Sequence, residues 1–383
     1  MAAAIKQTVS KPVACAGRLD PELGEEALRL GKIDFVGMTR RLVADPELPN
    51  KVAAGRLEDI APCAGCGYCV ETRTGDRPLK CRANAAAGRE REYEITPAAK
   101  KKKVLIAGGG LAAMEAARVA ALRGHEVTLY EKDSQLGGLL PLAAVVKDHE
   151  RDSLVDIIRY FATQLTKLGV TVKLGQEVDP SLVDKVKPDV LILATGGKNG
   201  VLQIPGIDNP KVVDSVALHG KLKMAMKFFG PKLLERLTKV TMPVGKRVVV
   251  IGGGMQGCQL AEFLVKRGRS VTVVDTAENL GEGLPFETPL RLFKWFNEKG
   301  VVTLAGVKYE RITDQGLVVV TKEGERKTLE ADNIIMALSL VPDAGLSKNF
   351  EGKAPEVFQI GDSREFGLMH GAIADGSWIG RNI

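Results

Sequence analysis

The sequence predicts an α/β protein built on parallel sheets, and three observations support this fold class. Short apolar strands recur along the 383 residues, and several run directly into glycine-rich turns followed by helical patterns. Two of these strand–turn–helix units repeat the same spacing of glycines. A segment with four cysteines separates the first strands from the repeated units. The length is sufficient for two or three domains, each with its own core.

The composition is that of an ordinary globular protein, with 45% hydrophobic and 26% charged residues. A net charge of +7 would allow nucleic-acid binding, but aromatic residues make up only 5% of the chain. Dinucleotides and acyl-CoA thioesters are also anionic, and they fit the charge better. The sequence contains neither a signal-peptide pattern nor an apolar run of transmembrane length. We therefore expect a cytoplasmic protein without a transmembrane segment or a nucleic-acid partner.

The chain begins with a strand–helix–strand pattern. Residues 12–16 and 34–38 read as short buried strands, and residues 21–30 between them read as a helix. Each strand is followed by a basic turn, Gly17-Arg18 and Thr39-Arg40. Ligands of α/β folds bind at the carboxyl ends of parallel strands, so these turns are candidate binding residues.

Four of the six cysteines lie close together with the spacing C-x2-C-x2-C-x11-C. They are Cys63, Cys66, Cys69 and Cys81. Three thiolates on one glycine-containing loop can ligate three corners of an iron–sulfur cube, and the fourth thiolate closes the last corner. Tetrahedral zinc is the alternative, although zinc ligands usually come as two separated pairs. Disulfides would need an oxidising compartment that nothing else in the sequence indicates. We predict a [4Fe–4S] cluster.

The first glycine-rich unit starts after the apolar strand 104–107. Gly108 and Gly110 form the turn, Ala113 lies in the helix that follows, and a second strand ends at Glu131. This is the order of a dinucleotide fingerprint: strand, glycine turn, helix N-terminus, and an acid about twenty residues further on. The backbone can approach a pyrophosphate here, and the acid can accept from a ribose hydroxyl.

The second unit repeats the first. The strand 248–251 leads into Gly252, Gly254 and Gly257, and the next strand ends at Asp275. One such motif is weak support for a dinucleotide site, but two in the same context are strong. The alternative is two tight turns that only pack a parallel sheet. Asp275 favours NADH over NADPH, because a 2′-phosphate would meet its carboxylate.

Three more apolar strands follow or separate these units, at residues 190–194, 334–337 and 357–360. The first is followed by Thr195-Gly196 and the last by Gly361-Asp362. Asp362 suits a ribityl hydroxyl of a flavin, or it caps the following helix, and the sequence leaves both interpretations open.

These motifs together resemble the C-terminal portion of the old yellow enzyme-like iron–sulfur flavoproteins. That group contains 2,4-dienoyl-CoA reductase, 2-enoate reductase and trimethylamine dehydrogenase. The matching pieces extend over nearly the whole chain: Ala16-Gly17-Arg18, Leu42-Val-Ala-Asp-Pro46, the cysteine segment through Asn84-Ala85, both glycine turns, Ala194-Thr195-Gly196 and Ile360-Gly361-Asp362.

The resemblance implies the end of a TIM barrel (its last two βα units), an iron–sulfur segment, and two Rossmann-like domains of the glutathione-reductase type. Residues 1–60 would be the C-terminal remnant of an FMN-binding barrel, and residues 61–99 the cluster segment and a linker. Residues 100–215 and 331–383 would bind FAD. Residues 244–330 would form an NAD(P)H-binding domain inserted in the FAD domain.

The resemblance also implies the cofactor contacts. The expected FAD contacts are Gly108, Gly110, Ala113, Glu131, Gly138, Thr195, Gly196, Gly361 and Asp362. The expected NAD contacts are Gly252, Gly254, Gly257 and Asp275. The expected FMN contacts are Gly17, Arg18, Thr39 and Arg40, with FMN shared with a partner chain.

A barrel of this kind needs eight strands and about 250 residues, far more than precede the cysteines. Either a partner protein subunit supplies the first six strands, or the barrel has been lost and this segment does something else. We expect the partner, and this chain to be an electron-input subunit. Electrons would pass from NADH to FAD, the cluster and FMN, for reduction of an activated C=C bond in an enoate, enone or enoyl-CoA. The alternatives are reverse electron flow as in amine dehydrogenases, an NADH:acceptor reductase that feeds another protein, and a scaffold. In trimethylamine dehydrogenase-like proteins the second glycine turn is degraded, whereas here it is intact.

Overall fold

The computed structural model describes residues 1–17, 19–73, 78–147, 151–200, 202–213, 238, 242, 244–285 and 288–383. Within these ranges the chain forms a small N-terminal unit, the cysteine segment, and two five-stranded parallel sheets with their helices. Arg18, one of the expected FMN contacts, lies outside the described residues. None of the described helices is long and apolar enough to cross a bilayer.

The described strands, in chain order, are β1 (Ala14–Ala16), β2 (Phe35–Gly37), β3 (Lys103–Ala107), β4 (Glu126–Glu131), β5 (Thr171–Leu174), β6 (Val190–Leu193), β7 (Lys198–Asn199), β8 (Val212–Val213), β9 (Arg247–Ile251), β10 (Ser270–Val274), β11 (Val302–Leu304), β12 (Lys308–Thr313), β13 (Gly316–Val320), β14 (Arg326–Glu330), β15 (Asn333–Met336), β16 (Leu340–Val341) and β17 (Glu356–Gln359).

The described α-helices are α1 (Ala2–Thr8), α2 (Pro21–Arg29), α3 (Thr39–Ala44), α4 (Leu48–Ala53), α5 (Tyr68–Arg73), α6 (Leu111–Leu122), α7 (Leu140–Val146), α8 (Arg151–Lys167), α9 (Pro180–Val186), α10 (Met255–Val265), α11 (Thr288–Glu298) and α12 (Leu368–Asn382). Short 3₁₀ turns lie at Leu57–Asp59, Ser347–Phe350 and Gly361–Ser363.

In the N-terminal unit, β1 and β2 pair in parallel and α2 connects them, as the sequence predicts. The prediction that both strands are buried is wrong for the described residues, because no further strand or helix layer covers this two-stranded sheet. The helix starts where it does because the Asp20 carboxylate accepts a 2.7 Å hydrogen bond from the N–H of Leu23, and Pro21 occupies the first helical position. Two parallel strands are far fewer than an independent sheet needs. Phe35 on β2 is 62% exposed.

The first large sheet has the strand order β17-β6-β3-β4-β5. All of its neighbours pair in parallel. Helices α6, α8 and α12 cover one face, and α9 covers the other. Helix α12 packs so closely on α6 that residue 376 must be glycine. A Cβ at Gly376 would lie only 2.3 Å from the carbonyl oxygen of Ala112. The strands 104–107, 190–194 and 357–360 predicted from the sequence all form within about a residue of their expected bounds.

The second large sheet has the order β11-β10-β9-β15-β8, also parallel throughout. Helices α10 and α11 cover one face, and the antiparallel meander β12-β13-β14 packs on the other. Val145 of α7 joins the core on the α10 side, so the two sheets share a packed contact.

The topology corrects one expected domain boundary. We expected residues 100–215 and 331–383 to belong with the first sheet, but β8 and β15 pair within the second sheet. The reason is that β9 needs a parallel neighbour on its other side, and β15 supplies it through four residue pairs from Asn333 to Met336. The chain therefore leaves the second sheet after Met336 rather than at residue 331.

Candidate functional site

The first glycine turn carries β3 directly into α6. Gly108 has φ = +115°, and a Cβ there would lie 2.3 Å from the carbonyl oxygen of Ala194, so only glycine fits. Gly110 precedes the first residue of α6, and a Cβ there would meet no atom within 4 Å. Ala113 is fully buried in the helix. The open side of Gly110 therefore faces space that a ligand phosphate could occupy.

Glu131 at the end of β4 holds this turn in place. Its carboxylate accepts hydrogen bonds from the N–H groups of Gly109 (2.5 Å) and Asp133 (2.7 Å). The residue is 7% exposed, so the carboxylate lies beside the turn rather than in solvent. This is the position from which an acid reaches the ribose of a dinucleotide.

The second module repeats this geometry. Gly252 has φ = +107°, and a Cβ there would lie 2.5 Å from the carbonyl oxygen of Ala337. A Cβ at Gly257 would lie 1.8 Å from the carbonyl oxygen of Gly252. The Asp275 carboxylate accepts from the N–H groups of Gly253 (2.5 Å) and Ala277 (2.9 Å). The two acids thus perform the same structural role in the two modules.

A covering segment packs on each glycine turn, and the sequence reasoning identified only Gly138 in the first of them. In the first module the Gly137 N–H donates to the carbonyl of Gly109 at 2.9 Å, and in the second the Gly281 N–H donates to the carbonyl of Gly253 at 2.6 Å. The repeat was visible in the sequence, because L-G-G-L-L-P at 136–141 recurs as L-G-E-G-L-P at 280–285, always 144 residues later. Gly108 and Gly252, and Glu131 and Asp275, are separated by the same interval.

The two covering segments differ at one position. Gly138 has φ = +57° and packs against Gly110. A Cβ added at Gly138 would lie 3.2 Å from the Cα of Gly110. Its counterpart Glu282 instead accepts a 2.8 Å hydrogen bond, through its backbone carbonyl, from the N–H of Met255 at the start of α10. In the second module the first N–H of the helix is therefore already bonded.

The segment around Thr195, Gly196 and Asp362 closes the first module from the side. Gly361 has φ = +64°, and a Cβ there would lie 2.9 Å from the Cβ of Ala112 in α6. Asp362 accepts a 3.1 Å hydrogen bond from the N–H of Gly367, the residue before α12. The carboxylate therefore stabilises the loop before α12, although Asp362 is not the N-cap of that helix. Burial raises the pKa of Asp362 above its ordinary value.

The cysteine segment is held by polar contacts on both sides. The buried Asp45 carboxylate accepts from the N–H of Ala61 (2.7 Å) and from Lys51 Nζ (2.6 Å), which fixes the start of the segment. At its end, Asn84 Nδ2 donates to the carbonyl of Val43 at 3.0 Å. Tyr68, next to Cys69, packs on His370 with ring centroids 4.9 Å apart.

The thiols of this segment share one neighbourhood. Burial, together with the nearby thiols of Cys66 and Cys63, raises the pKa of Cys81 to about 11. Burial also raises the pKa of Cys66. All four thiols are free. In the described part of the chain, however, no three histidine, cysteine, aspartate or glutamate side chains are close enough together to hold a metal ion. The cluster therefore stays a prediction, supported by the donor chemistry but not by an assembled ligand geometry.

The expected FMN contacts lie on the N-terminal unit. Gly17 is exposed, with φ = +131°, and Thr39 is exposed at the start of α3. Arg40 is half-buried and lines the same cleft as Cys66.

A single cleft of about 1750 Å³ joins these parts. It extends from the first glycine turn past the cysteine loop to the start of α10. Its wall includes Cys66, Arg82, Gly108, Gly110, Met255 and Asp362. A volume of this size exceeds that of an ordinary small-ligand pocket and can accommodate more than one nucleotide-sized group.

The family model described as pyridine nucleotide-disulphide oxidoreductase matches residues 102–376, which contain both glycine modules. The chain belongs to this family. Membership implies binding of FAD and NAD(P)H, and it confirms the prediction of an oxidoreductase with Rossmann-like domains. The predicted TIM-barrel end is not part of that match.

Relatives of this oxidoreductase match nearly its whole length. Cinnamate reductase of Clostridium sporogenes is 32% identical over 386 residues, which cover 99% of this chain and 54% of the relative. NADH oxidase of Thermoanaerobacter brockii is 32% identical over 392 residues and covers 100% of this chain and 57% of the relative. A solved 2-naphthoyl-CoA reductase in complex with 2-naphthoyl-CoA is similar with a TM-score of 0.87, at 34% identity, over 99% of this chain and 55% of the solved chain.

These matches confirm the resemblance to the old yellow enzyme-like flavoproteins. They also show that this oxidoreductase chain spans about half the length of the relatives it matches.

Proposed function

We propose that this chain is the electron-input part of an NADH-dependent flavin and iron–sulfur oxidoreductase that reduces an activated C=C bond. The observation that carries the proposal is the single cleft that the first glycine turn, the cysteine loop and the start of α10 in the second module line. Groups that exchange electrons must lie close together, and one shared cleft satisfies this requirement. When bound, the nicotinamide, flavins and cluster would supply hydride transfer and one-electron transfer towards that bond.

In this proposal the first module holds FAD. Gly110 and the start of α6 form a pyrophosphate site, because the helix end stabilises negative charge and the backbone is open on that side. Glu131 accepts from a ribose hydroxyl. Thr195, Gly196 and Asp362 line the cleft wall beside that site and enclose the remainder of the cofactor. This fit depends on Gly110, because a residue without a Cβ leaves room for the phosphate to approach the backbone.

The second module holds the nicotinamide nucleotide. Asp275 would accept from the adenine ribose, and its charge disfavours a 2′-phosphate, so we propose NADH as the donor. The name of one relative, NADH oxidase, agrees with this choice. Binding of the pyrophosphate at α10 requires the Glu282 carbonyl to release the N–H of Met255, since both acceptors compete for the same donor.

Cys63, Cys66, Cys69 and Cys81 hold the [4Fe–4S] cluster in this proposal. Three cysteines on one loop and a fourth further along the chain suit iron and sulfide better than zinc. Around a metal centre these four thiols would all be thiolates, because a bound metal ion requires deprotonated cysteine ligands. Iron and acid-labile sulfide in the purified protein, with zinc below stoichiometry, are the expected composition.

The N-terminal unit forms the end of an FMN barrel whose other strands lie on a partner chain. Its two parallel strands have no further neighbours among the described residues, and Phe35, Leu23 and Leu28 leave apolar surface exposed. Gly17, Thr39 and Arg40 would bind the FMN phosphate at the carboxyl ends of these strands, together with Arg18. A pull-down from native cells should recover a protein of about 300 residues with βα repeats.

The activated C=C bond is proposed from the relatives. Their names include cinnamate reductase and 2-naphthoyl-CoA reductase, which act on unsaturated acids or thioesters.

The intact Gly252, Gly254 and Gly257 argue against reverse electron flow from an amine, because that direction does not need a second nucleotide. An NADH:acceptor reductase that feeds a different protein uses the same two modules and is the remaining alternative.

Anaerobic stopped-flow mixing with NADH tests the proposal. Rapid bleaching of the flavin absorbance is the expected result. An unbleached flavin would leave only a scaffold role for the bound groups. Isolation of this chain alone, repeatedly and with activity on a C=C substrate, would refute the partner barrel.

A further inference from the structure

Arg82 is a buried cation on the wall of the large cleft. The residue is 8% exposed, and its Nε has no hydrogen-bond partner among the described residues. Its Nη2 donates to the carbonyl of Gly283 at 3.3 Å, and its guanidinium lies over the ring of Tyr68, 4.9 Å from the centroid. No carboxylate in the part of the chain that the structure describes forms an ion pair with it.

These contacts do not compensate a buried guanidinium. A charged group that leaves water needs an opposite charge or a full set of hydrogen-bond acceptors, and one carbonyl with one aromatic face supplies neither. The bond to Gly283 is also longer than the ordinary range of about 2.7–3.2 Å. Arg118, by contrast, is bonded to both oxygens of Glu115. The position of Arg82 therefore suits an anion that enters the cleft.

The surroundings of Gly283 indicate where this anion lies. A Cβ added at Gly283 would lie 3.6 Å from the Cβ of Met255, the first residue of α10, and 3.2 Å from Cδ1 of Leu368, the first residue of α12. The preceding residue, Glu282, accepts from the N–H of Met255. Arg82 and the first N–H of α10 thus bond to successive carbonyls of one covering segment. Arg82 therefore lies beside the helix end at which a dinucleotide pyrophosphate is expected.

We propose that Arg82 binds the pyrophosphate of the nicotinamide nucleotide in the second module. This inference rests on the proposed function, because it takes that module to hold the nucleotide, but it requires no metal at the neighbouring cysteines. A guanidinium stays protonated throughout the accessible pH range, and its planar donors match two phosphate oxygens at once. Arg82 is thus a binding residue that the cysteine segment contributes to the nicotinamide site.

The proposal also explains how the covering segment gives way to the nucleotide. The carbonyl of Glu282 must release the N–H of Met255 before that N–H can bind phosphate. Arg82 likewise leaves the carbonyl of Gly283 when it turns to the phosphate. Two donors therefore exchange two adjacent carbonyls of one segment for one ligand, and a charge-assisted bond replaces a long neutral acceptor.

The pyrophosphate of FAD has the same chemistry, and Gly110 lines the same cleft as Arg82. The contact of Arg82 with Gly283 favours the nicotinamide nucleotide, because this glycine belongs to the second module. Among the described residues, Arg82 makes no hydrogen bond to the first glycine turn at residues 108–110. The test below separates the two sources.

Isothermal titration calorimetry of the FAD-loaded protein with ADP-ribose and with adenosine tests the proposal. ADP-ribose carries the pyrophosphate but transfers no hydride, and adenosine carries no phosphate. Arg82→Gln should raise the Kd for ADP-ribose about 10-fold or more and leave the Kd for adenosine unchanged. Arg82→Lys keeps the charge without the planar donors and should give an intermediate loss. Arg91→Gln, which removes an exposed charge from the same segment, is the matched control and should bind both ligands as the wild type does.

FAD content and the urea unfolding midpoint show whether each variant is folded, and Arg82→Lys provides the same comparison where Arg82→Gln is not. Equal losses for ADP-ribose and adenosine would mean that Arg82 only holds the covering segment, and the inference would be wrong. Loss of FAD with unchanged binding of ADP-ribose would assign the contact to the first module and would also overturn it.

The wild-type protein separates this inference from the proposed function. Normal binding of ADP-ribose by the wild type together with unchanged binding by Arg82→Gln would overturn the inference alone. A wild-type protein that does not bind ADP-ribose would overturn the nicotinamide site of the proposed function, and this inference with it.

Discussion

The carbonyl oxygen of Glu282 accepts a 2.8 Å hydrogen bond from the N–H of Met255, the first residue of α10. That N–H belongs to the group that a dinucleotide pyrophosphate would use. In the first module the corresponding residue is Gly138, whose positive φ turns the chain differently. In the second module the N–H at the start of α10 is therefore bonded within the protein, and the residue that accepts it also carries a negative side chain.

Replacement of Glu282 tests the effect of this hydrogen bond. Glu282→Gly lets the chain adopt the backbone conformation of Gly138 and removes the carboxylate charge. NADH should then bind about 2- to 5-fold more tightly, because one negative charge fewer lies near the N-terminus of α10. Glu282→Gln removes the charge alone and should give a smaller gain. Isothermal titration calorimetry measures both. Weaker binding by Glu282→Gly would show that the form with this hydrogen bond is the one that accepts NADH.

A pair of glycines in the second module separates folding from binding. Gly257→Ala places a Cβ 1.8 Å from the carbonyl oxygen of Gly252 and should cost about 1–3 kcal/mol or more of stability in urea unfolding. Gly254→Ala meets nothing closer than 3.7 Å and should cost less than about 1 kcal/mol. Its methyl group would nevertheless stand at the pyrophosphate, so NADH binding should weaken about 10-fold. Unchanged NADH binding in Gly254→Ala would mean that the pyrophosphate does not bind at this turn.

Asp275→Asn tests the preference for NADH. The amide keeps the shape of the side chain, but it cannot accept from both Gly253 and Ala277, and it carries no charge. The Kd for NADH should rise about 10-fold, and the discrimination against NADPH should shrink. Asp184→Asn, an exposed residue paired with Lys353, is the control. Faster oxidation of NADPH than NADH by the wild-type protein would contradict the role of Asp275.

Asp362 should make stability fall with rising pH. Because burial raises its pKa in the folded state, the folded protein binds this proton more strongly than the unfolded chain does. The stabilisation is complete below the ordinary value of 3.8 and is lost as the pH rises through the raised folded-state pKa. Asp362→Asn should flatten this part of the profile in urea unfolding and should bind FAD less tightly. An unchanged profile would mean that Asp362 is solvated in the folded state.

The sequence predicted the local parts of the fold well, because strand, glycine turn and helix N-terminus follow each other within a few residues. Gly108, Gly252 and both terminal acids lie where the spacing indicates. The assignment of β15 to a sheet failed, since Ile334 and Ile335 read as a buried strand without indicating which parallel neighbour they meet. Parallel pairing is set by distant segments, and an apolar run alone does not specify it.

Contacts across long sequence intervals account for the rest of what was missed. The hydrogen bond between Arg82 and Gly283 joins two segments that no local pattern connects. The covering segment 280–285 was detectable only as an internal repeat of 136–141, in which one glycine has become Glu282. A comparison of the two modules position by position would have located it.

The most direct test of electron input is freeze-quench EPR after anaerobic mixing with NADH. The wild-type protein and Cys15→Ser, which changes a cysteine on β1 outside the predicted ligand set, should bleach the flavin and then show a reduced-cluster signal. Cys81→Ser should bleach the flavin but lack that signal, because the fourth ligand is lost. A flavin that NADH does not bleach, or a wild-type cluster that stays oxidised after the flavin is reduced, would contradict the account.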